Sequence, residues 1–155
     1  SEHVRLLKEA GAVHVLNSSE SNFDAELAKL AAQQKATTAF DCIGGSMSAR
    51  LLAALPPRSQ VIVYGGMSGE EPIARTRDLV FFRKSLSGFH LAKHIEEKGI
   101  LWVLKTSRQV QKRVEQKLLH TNFSARLSLA EAPAGIAAYA ENMTQGKPVI
   151  LPGKR

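Results

Sequence analysis

The sequence predicts an α/β layered fold with parallel strands, and three observations carry that prediction. Helical and extended patterns alternate over residues 2–68, as they do in chains built from strand–helix–strand crossovers. The run 61–64 (VIVY) is apolar and β-branched with no polar alternation, as expected of a strand covered on both faces. This run and the one at 37–43 (TTAFDCI) each end on a glycine pair, Gly65 with Gly66 and Gly44 with Gly45, where backbone can turn and a ligand can approach it. In open sheets of this class ligands bind just beyond the carboxyl ends of strands, so the two pairs make one candidate site.

Each element follows from its own pattern. Residues 2–10 read as the end of a helix with Val4, Leu6 and Leu7 inward, stopped by Gly11 in the left-handed position. Residues 12–16 (AVHVL) follow as a short strand with His14 on its polar face. A polar turn leads into a helix over 23–33; Ser21 and Asp24 have capping spacing, and Phe23, Leu27, Leu30 and Ala31 form its apolar stripe. After the strand at 37–43, a helix from Ser46 turns Met47, Leu51 and Leu55 inward and ends at Pro56 and Pro57. The strand at 60–64 comes next.

Beyond it lie a loop, a short helix over 76–83 (TRDLVFFR) and a strand over 85–91 (SLSGFHL), where Gly88 marks a bulge or close approach. A long helix is predicted over 93–120, weakened at Gly99, with Ile100, Leu104, Val110, Val114 and Leu118 as its stripe. Residues 125–129 read as a strand. Ser128 and Glu131 form a capping box for a helix to Gln145, stopped by Gly146, and 149–151 as a terminal strand.

A length of 155 residues with 44% hydrophobic and 23% charged fits one soluble domain, residues 1–155. There is no apolar run of eighteen, and charges stand where a secretory signal needs an apolar core, so an intracellular protein, cytoplasmic or mitochondrial, is expected with no membrane partner. Cys42 is the only cysteine, which excludes an internal disulfide and any zinc site with two cysteines. Charge is uneven: residues 1–71 hold six Lys/Arg against eight Asp/Glu, and residues 72–155 hold fifteen against six. The basic helix around Lys105, Arg108, Lys112, Arg113 and Lys117 makes a non-catalytic module for an acidic partner or nucleic acid the alternative reading. With only Trp102 nearby for base stacking, a solvated helix face is favoured over nucleic acid.

The pieces LLKEAGAVHVLN, FDCIGG, QVIVYGGMSG followed by EEPI, LVFFRKSLSGFHL and GKPVIL, in that order, resemble the medium-chain dehydrogenase/reductases. The likeness is to the zinc-independent branch of quinone oxidoreductases and 2-enoyl thioester reductases, and it covers nearly the whole chain. It implies a partial Rossmann-like doubly wound parallel sheet, lacking the family's first strand-turn-helix-strand. It also implies NADP(H) as cofactor and hydride transfer to an activated alkene (enoyl thioester) or a quinone as small-molecule substrate. Gly44 and Gly45 would lie under the nicotinamide ribose. Tyr64, Gly65, Gly66 and Met67 would touch the nicotinamide through backbone groups, Phe89, His90 and Leu91 would complete its wall, and Lys147 would reach the cofactor. His3 falls near where the family recognises the adenosine phosphate. A homodimer through the edge strand at 85–91 is implied, and the last strand, 148–152, would face the family's catalytic domain.

Two departures stand out: His90 replaces a tryptophan common in enoyl reductases, and no GxGxxG turn to hold a pyrophosphate occurs in the sequence. With strands 12–16 and 37–43 as the family's third and fourth, strands one and two have no counterpart. This chain alone is then expected to be catalytically inactive and unable to complete the six-stranded sheet, and no catalytic residue is assigned within it. Other expectations come from the residues themselves. Cys42 reads as a small buried hydrophobe and Tyr64 as a packing residue. Asp41 is either a polar group facing the site or a buried acceptor. His90 and His94 lack a third ligand, so no metal is expected. Another nucleotide-type domain, such as a methyltransferase, is the runner-up within the fold class.

Overall fold

Helix α1 (Glu2–Glu9) stops where glycine permits a left-handed residue: Gly11 has φ +97°, and the Ala12 N–H returns to the Leu7 carbonyl at 2.9 Å. Helix α2 (Phe23–Gln33) ends with the same hydrogen-bond pattern but on a lysine. Lys35 has φ 51°, with the Ala36 N–H on the Ala31 carbonyl at 2.9 Å. A left-handed non-glycine residue costs about 1–2 kcal/mol, so this stop is imposed by the fold around it. The computed structural model in which these features are seen describes residues 2–119, 121–141, 143 and 146–153.

The cap expected from Ser21 and Asp24 is not formed. Asn22 precedes the first turn of α2 without a side-chain bond to it. Asp24 instead accepts from Arg50 Nε at 2.6 Å, and the Arg50 guanidinium lies 4.4 Å over the Phe23 ring. A tertiary ion pair has displaced a local cap, and it ties α2 to the next helix, α3 (Ser46–Ala54).

Around α3 the chain builds a parallel sheet from β1 (Thr38–Asp41), β2 (Gln60–Val63) and β3 (Ser85–Gly88), in the order β1-β2-β3. Helix α4 (Thr76–Val80) lies between β2 and β3 in the chain. Register is strict: Asp41 is opposite Val63, and Val63 opposite Gly88, so all three strands end level. Leu52 and Val61, both 0% exposed, join Ala31 and Leu55 in the core beneath the sheet. Full burial of each large side chain stabilises by roughly 1.5–3 kcal/mol.

The expected strand at 12–16 is absent; those residues are irregular. A strand exists only while a neighbour takes its N–H and C=O groups, and among the described residues β1 pairs with β2 alone. The strand expected at 85–91 is shorter, since β3 ends at Gly88 and Leu91 already begins α5 (Leu91–Glu115). The helix expected to Arg83 closes at Val80. Gly99, the predicted weak point, has φ 73° and ψ 173° and breaks α5 into two helical segments.

No residue of α5 is buried. Lys117, with φ 58°, closes it through a bond from Leu118 N–H to the Arg113 carbonyl at 2.9 Å. The expected ends of this helix at His120 and of the following one at Gln145 lie outside the described residues. The Ser128–Glu131 capping box is made, with Glu131 Oε2 accepting from the Ser128 N–H at 2.8 Å and its hydroxyl at 2.7 Å. It leads into α6 (Ala132–Glu141). Strand β4 (Phe123–Leu127) pairs in parallel with β5 (Lys147–Ile150); β4 lies two residues earlier than the sequence pattern places it, and β5 starts two residues earlier and ends one earlier.

The chain divides into two compact units, Ser1–Glu97 with the three-stranded sheet and Lys98–Arg155 with the two-stranded one. No helix among the described residues is long and apolar enough to cross a membrane.

Candidate functional site

The carboxyl end of β1 is organised by one buried carboxylate. Asp41, 1% exposed, accepts from the Ile43 N–H at 2.8 Å, the Gly44 N–H at 3.1 Å and the Ser48 hydroxyl at 2.5 Å. It therefore fixes the glycine turn and the first turn of α3 together. Of the two readings open for Asp41, the buried acceptor is the one realised. Ser48 was not singled out from the sequence; the signal that could have found it is a hydroxyl three residues beyond a glycine pair that opens a helix.

Leaving β2, the chain doubles back along the exit of β1. The Tyr64 N–H donates to the Asp41 carbonyl at 2.9 Å, Met67 N–H to Cys42 at 3.1 Å, and Ser68 N–H to Ile43 at 2.9 Å. Ile73 N–H reaches the Gly45 carbonyl at 3.1 Å, folding the 68–73 loop over the first glycine pair. At β3 the ladder runs one residue further, with the Phe89 N–H on the Val63 carbonyl at 2.8 Å. Gly44, Gly45, Tyr64, Gly65, Gly66, Met67 and Phe89 are thus brought to one end of the sheet.

The glycines differ in why they are glycines. Gly44 and Gly45 are buried, with φ of +77° and +55°, and a Cβ on Gly45 would stand 2.7 Å from Glu70 Oε2. A Cβ on Gly65 would stand 2.9 Å from the Cys42 carbonyl oxygen. Close approach of the chain to itself accounts for these three. Gly66 is exposed with nothing within 4 Å of its Cβ position. Tyr64 at 54%, Met67 at 68% and Phe89 at 43% exposure stand beside it, so this is the accessible part of the edge. Among the described residues the Gly65 and Gly66 N–H groups donate to no other group, which leaves backbone donors for a ligand's carbonyl.

Tyr64 is not the packing residue its sequence context suggests, and Cys42 is half-buried rather than enclosed. Cys42, first through its side-chain hydrogen bond and then electrostatically, raises the Tyr64 phenol above its ordinary value; burial and the Asp41 carboxylate add in the same direction. The phenol therefore stays protonated and neutral across the physiological range.

Phe89, His90 and Leu91 do not form one strand face. Phe89 is the last ladder residue. His90 caps the following helix, its Nδ1 accepting from the Lys93 N–H at 3.3 Å, and Leu91 is the first helical residue, 58% exposed. Phe89 and His94 rings meet with centroids 5.4 Å apart, which anchors that helix start to the sheet end. Lys147 belongs to the second unit, where its N–H donates to the Asn122 carbonyl at 2.8 Å. His3 is exposed on α1. Among the described residues no group of three His, Cys, Asp or Glu side chains is placed to hold a metal ion.

Comparison with known proteins places this arrangement. The model of the zinc-binding dehydrogenase family matches residues 1–106. The mitochondrial enoyl-[acyl-carrier-protein] reductase of Bos taurus is 32% identical over 87 residues, which are 56% of this chain and 23% of that enzyme. A candidate NADPH:quinone reductase from Mesorhizobium loti superposes with a TM-score of 0.78 at 26% identity, covering 97% of this chain and 42% of that one. The mitochondrial 2-enoyl thioester reductase heterodimer from Candida tropicalis superposes at 0.76 with 22% identity, over 96% of this chain and 43% of that one. Its Etr1p chain has also been solved with NADP and crotonyl-CoA. The chain spans less than half the length of each of these proteins.

Proposed function

The chain belongs to the zinc-binding dehydrogenase family of the medium-chain dehydrogenase/reductases, and from that premise we propose that it is the nicotinamide-facing part of an NADP(H)-dependent oxidoreductase. The substrate class is an activated alkene held as an enoyl thioester, or a quinone. The observation that carries the reading is the level ending of β1, β2 and β3, which delivers Gly44, Gly45, Tyr64, Gly65, Gly66, Met67 and Phe89 to one edge. Family membership favours this over a methyltransferase domain.

The bound cofactor supplies the hydride, and the chain's own residues bind and orient it. The free N–H groups of Gly65 and Gly66 suit the carboxamide oxygen of a nicotinamide, and the bare Gly66 surface lets the ring approach. Tyr64, Met67 and Phe89 shield one side of it from water, with His90 and Leu91 at the rim. Gly44 and Gly45, beneath the 68–73 loop, set the height of that platform. No step is derived through zinc, because the described residues hold no donor set for it.

A second copy would add along the outer edge of β3, which pairs only with β2 among the described residues. The named mitochondrial location of the bovine relative and the quinone and enoyl reductase neighbours support an intracellular, soluble enzyme.

Thermal shift of the full chain with NADPH, NADH and S-adenosylmethionine tests the reading. A ligand at about 100 times its Kd stabilises by about 2.7 kcal/mol, so NADPH is expected to raise Tm and S-adenosylmethionine to leave it unchanged. Gly66→Val is expected to abolish the NADPH shift without lowering the ligand-free Tm. No shift with either nicotinamide cofactor would sink the proposal. Steady NADPH oxidation by this chain with an enoyl thioester or quinone would refute the expectation that it is inactive alone.

A further inference from the structure

At the amino-terminal end of the same sheet, opposite the glycine edge, lies an open cavity of about 340 Å³. Arg75, Arg77 and Lys84 line it against a single carboxylate, Asp78, with Phe82 and Pro57 among its apolar walls. Lys84 directly precedes β3 and its side chain is only 4% exposed; its ammonium donates to the Leu52 carbonyl at 2.5 Å and to Asp78 Oδ1 at 3.3 Å. An ammonium has three N–H donors; two are used here, and the ammonium also lies 5.3 Å over the Phe82 ring, with no third hydrogen-bond acceptor among the described residues.

Arg75 spends its Nε on Asp78 Oδ2 at 2.8 Å, and its two terminal nitrogens have no partner among the described residues. The Arg77 guanidinium lies 5.1 Å over the Phe82 ring and has no carboxylate partner among the described residues. Stacking fixes the plane of a guanidinium while leaving its N–H edge available. The two turns that rim the cavity are clamped together, with the Arg58 N–H on the Phe82 carbonyl at 2.8 Å. Arg58 and Arg83 are held left-handed there at φ 64° and 53°.

We infer that this cavity is a second binding site, for the phosphoryl group of a small phosphomonoester or for free phosphate. Three cations against one carboxylate in a concave setting concentrate positive potential. The free donors are two guanidinium edges and a buried ammonium, a set suited to a tetrahedral dianion. Phe82 and Pro57 give the organic part of an ester a surface to lie on. The inference uses none of the residues assigned to the nicotinamide, so the two readings stand or fall separately.

The test is a titration of inorganic phosphate, and separately phenyl phosphate, into the 15N-labelled full chain at constant ionic strength held with chloride. Saturable shifts are expected in the amides of Arg75 to Lys84. Arg77→Ala is expected to weaken binding about tenfold or more, as the loss of charge-assisted hydrogen bonds does, and Arg77→Lys by less. Arg108→Ala on α5 is expected to change nothing, and the spectra themselves report whether each variant is folded. Tighter binding of phenyl phosphate identifies a phosphomonoester site, and equal binding identifies a free phosphate site. The inference is overturned by shifts that fail to saturate, by saturable shifts confined to Gly44–Met67, or by Arg77→Ala and Arg108→Ala weakening binding equally.

Discussion

The two ends of the three-stranded sheet solve different problems with different parts of the chain. At the carboxyl end backbone does the work: Gly44, Gly45 and Gly65 let β1 and β2 exits lie against each other, and Asp41 holds the turn through two amides and a hydroxyl. At the amino end side chains do it, with Arg75, Asp78 and Lys84 joined in a partly buried ion network. One end offers a ligand bare peptide groups, the other offers fixed charge. A sheet with level strand ends therefore presents two chemistries, and the first is tolerant of side-chain identity only where, as at Gly66, nothing packs on the backbone.

The sharpest way to break that contrast is at Lys84. Lys84→Met leaves the Leu52 carbonyl without its donor and Asp78 with Arg75 as its remaining partner; breaking a buried pair costs about 3–5 kcal/mol, and the lower end of that range is expected here. A loss of that size in the free energy of unfolding, from urea titration, is expected; a change under about 1 kcal/mol would show that the amino end is held by apolar packing instead.

Next in size are the glycines. Gly65→Ala drives a Cβ against the Cys42 carbonyl and is expected to cost about 1–3 kcal/mol, as overpacking does. Gly66→Ala meets nothing and should stay within about 0.5 kcal/mol. Equal losses at both positions in denaturant titrations would erase the distinction between packed and open backbone.

A smaller effect is the pH dependence of the amino end. Burial, the largest single influence on Asp78, pushes its carboxyl up, but hydrogen bonds and charges from Lys84 and Arg75 outweigh it and hold the carboxyl below its ordinary range. A group whose folded value lies below its unfolded one adds stability above the unfolded value. That stability is lost as pH falls from about 4 through the lowered folded value. Asp78→Asn should flatten this part of the stability profile; an unchanged acid limb would place the sensitivity elsewhere. The smallest effect expected is at the carboxyl end. In a Tyr139→Phe background, Cys42→Ala should bring the ultraviolet titration of the Tyr64 phenol back toward its ordinary value, because Cys42 is the main cause of its elevation.

Much of the carboxyl end was legible in the sequence because its signals are local. VIVYGG and FDCIGG each state a strand and its stop within six residues, and parallel crossovers align the stops. The site lost definition where a partner decided the outcome: His90 looked like part of a strand and became a helix cap through Lys93. Tyr64 looked like packing and became half exposed beside Cys42. The residues at 12–16 have a strand's composition but no paired neighbour, and they are irregular. The helix stops at Lys35 and Lys117 carry no sequence mark at all, since lysine has no preference for the left-handed conformation they adopt.

The amino end was illegible for the same reason taken further. Its contacts join Lys84 to Leu52, thirty-two residues apart, and Arg58 to Phe82, and nothing in RTRDLVFFRK announces a buried ammonium. Periodicity and glycine punctuation act within a few residues, so the sequence by itself determined the α/β class, the order of the elements from α2 onward and the glycine edge of the sheet. Which charges are buried, which glycines are covered and which side chains share a cavity depend on what the rest of the chain brings within hydrogen-bond reach, and only the tertiary structure decided those.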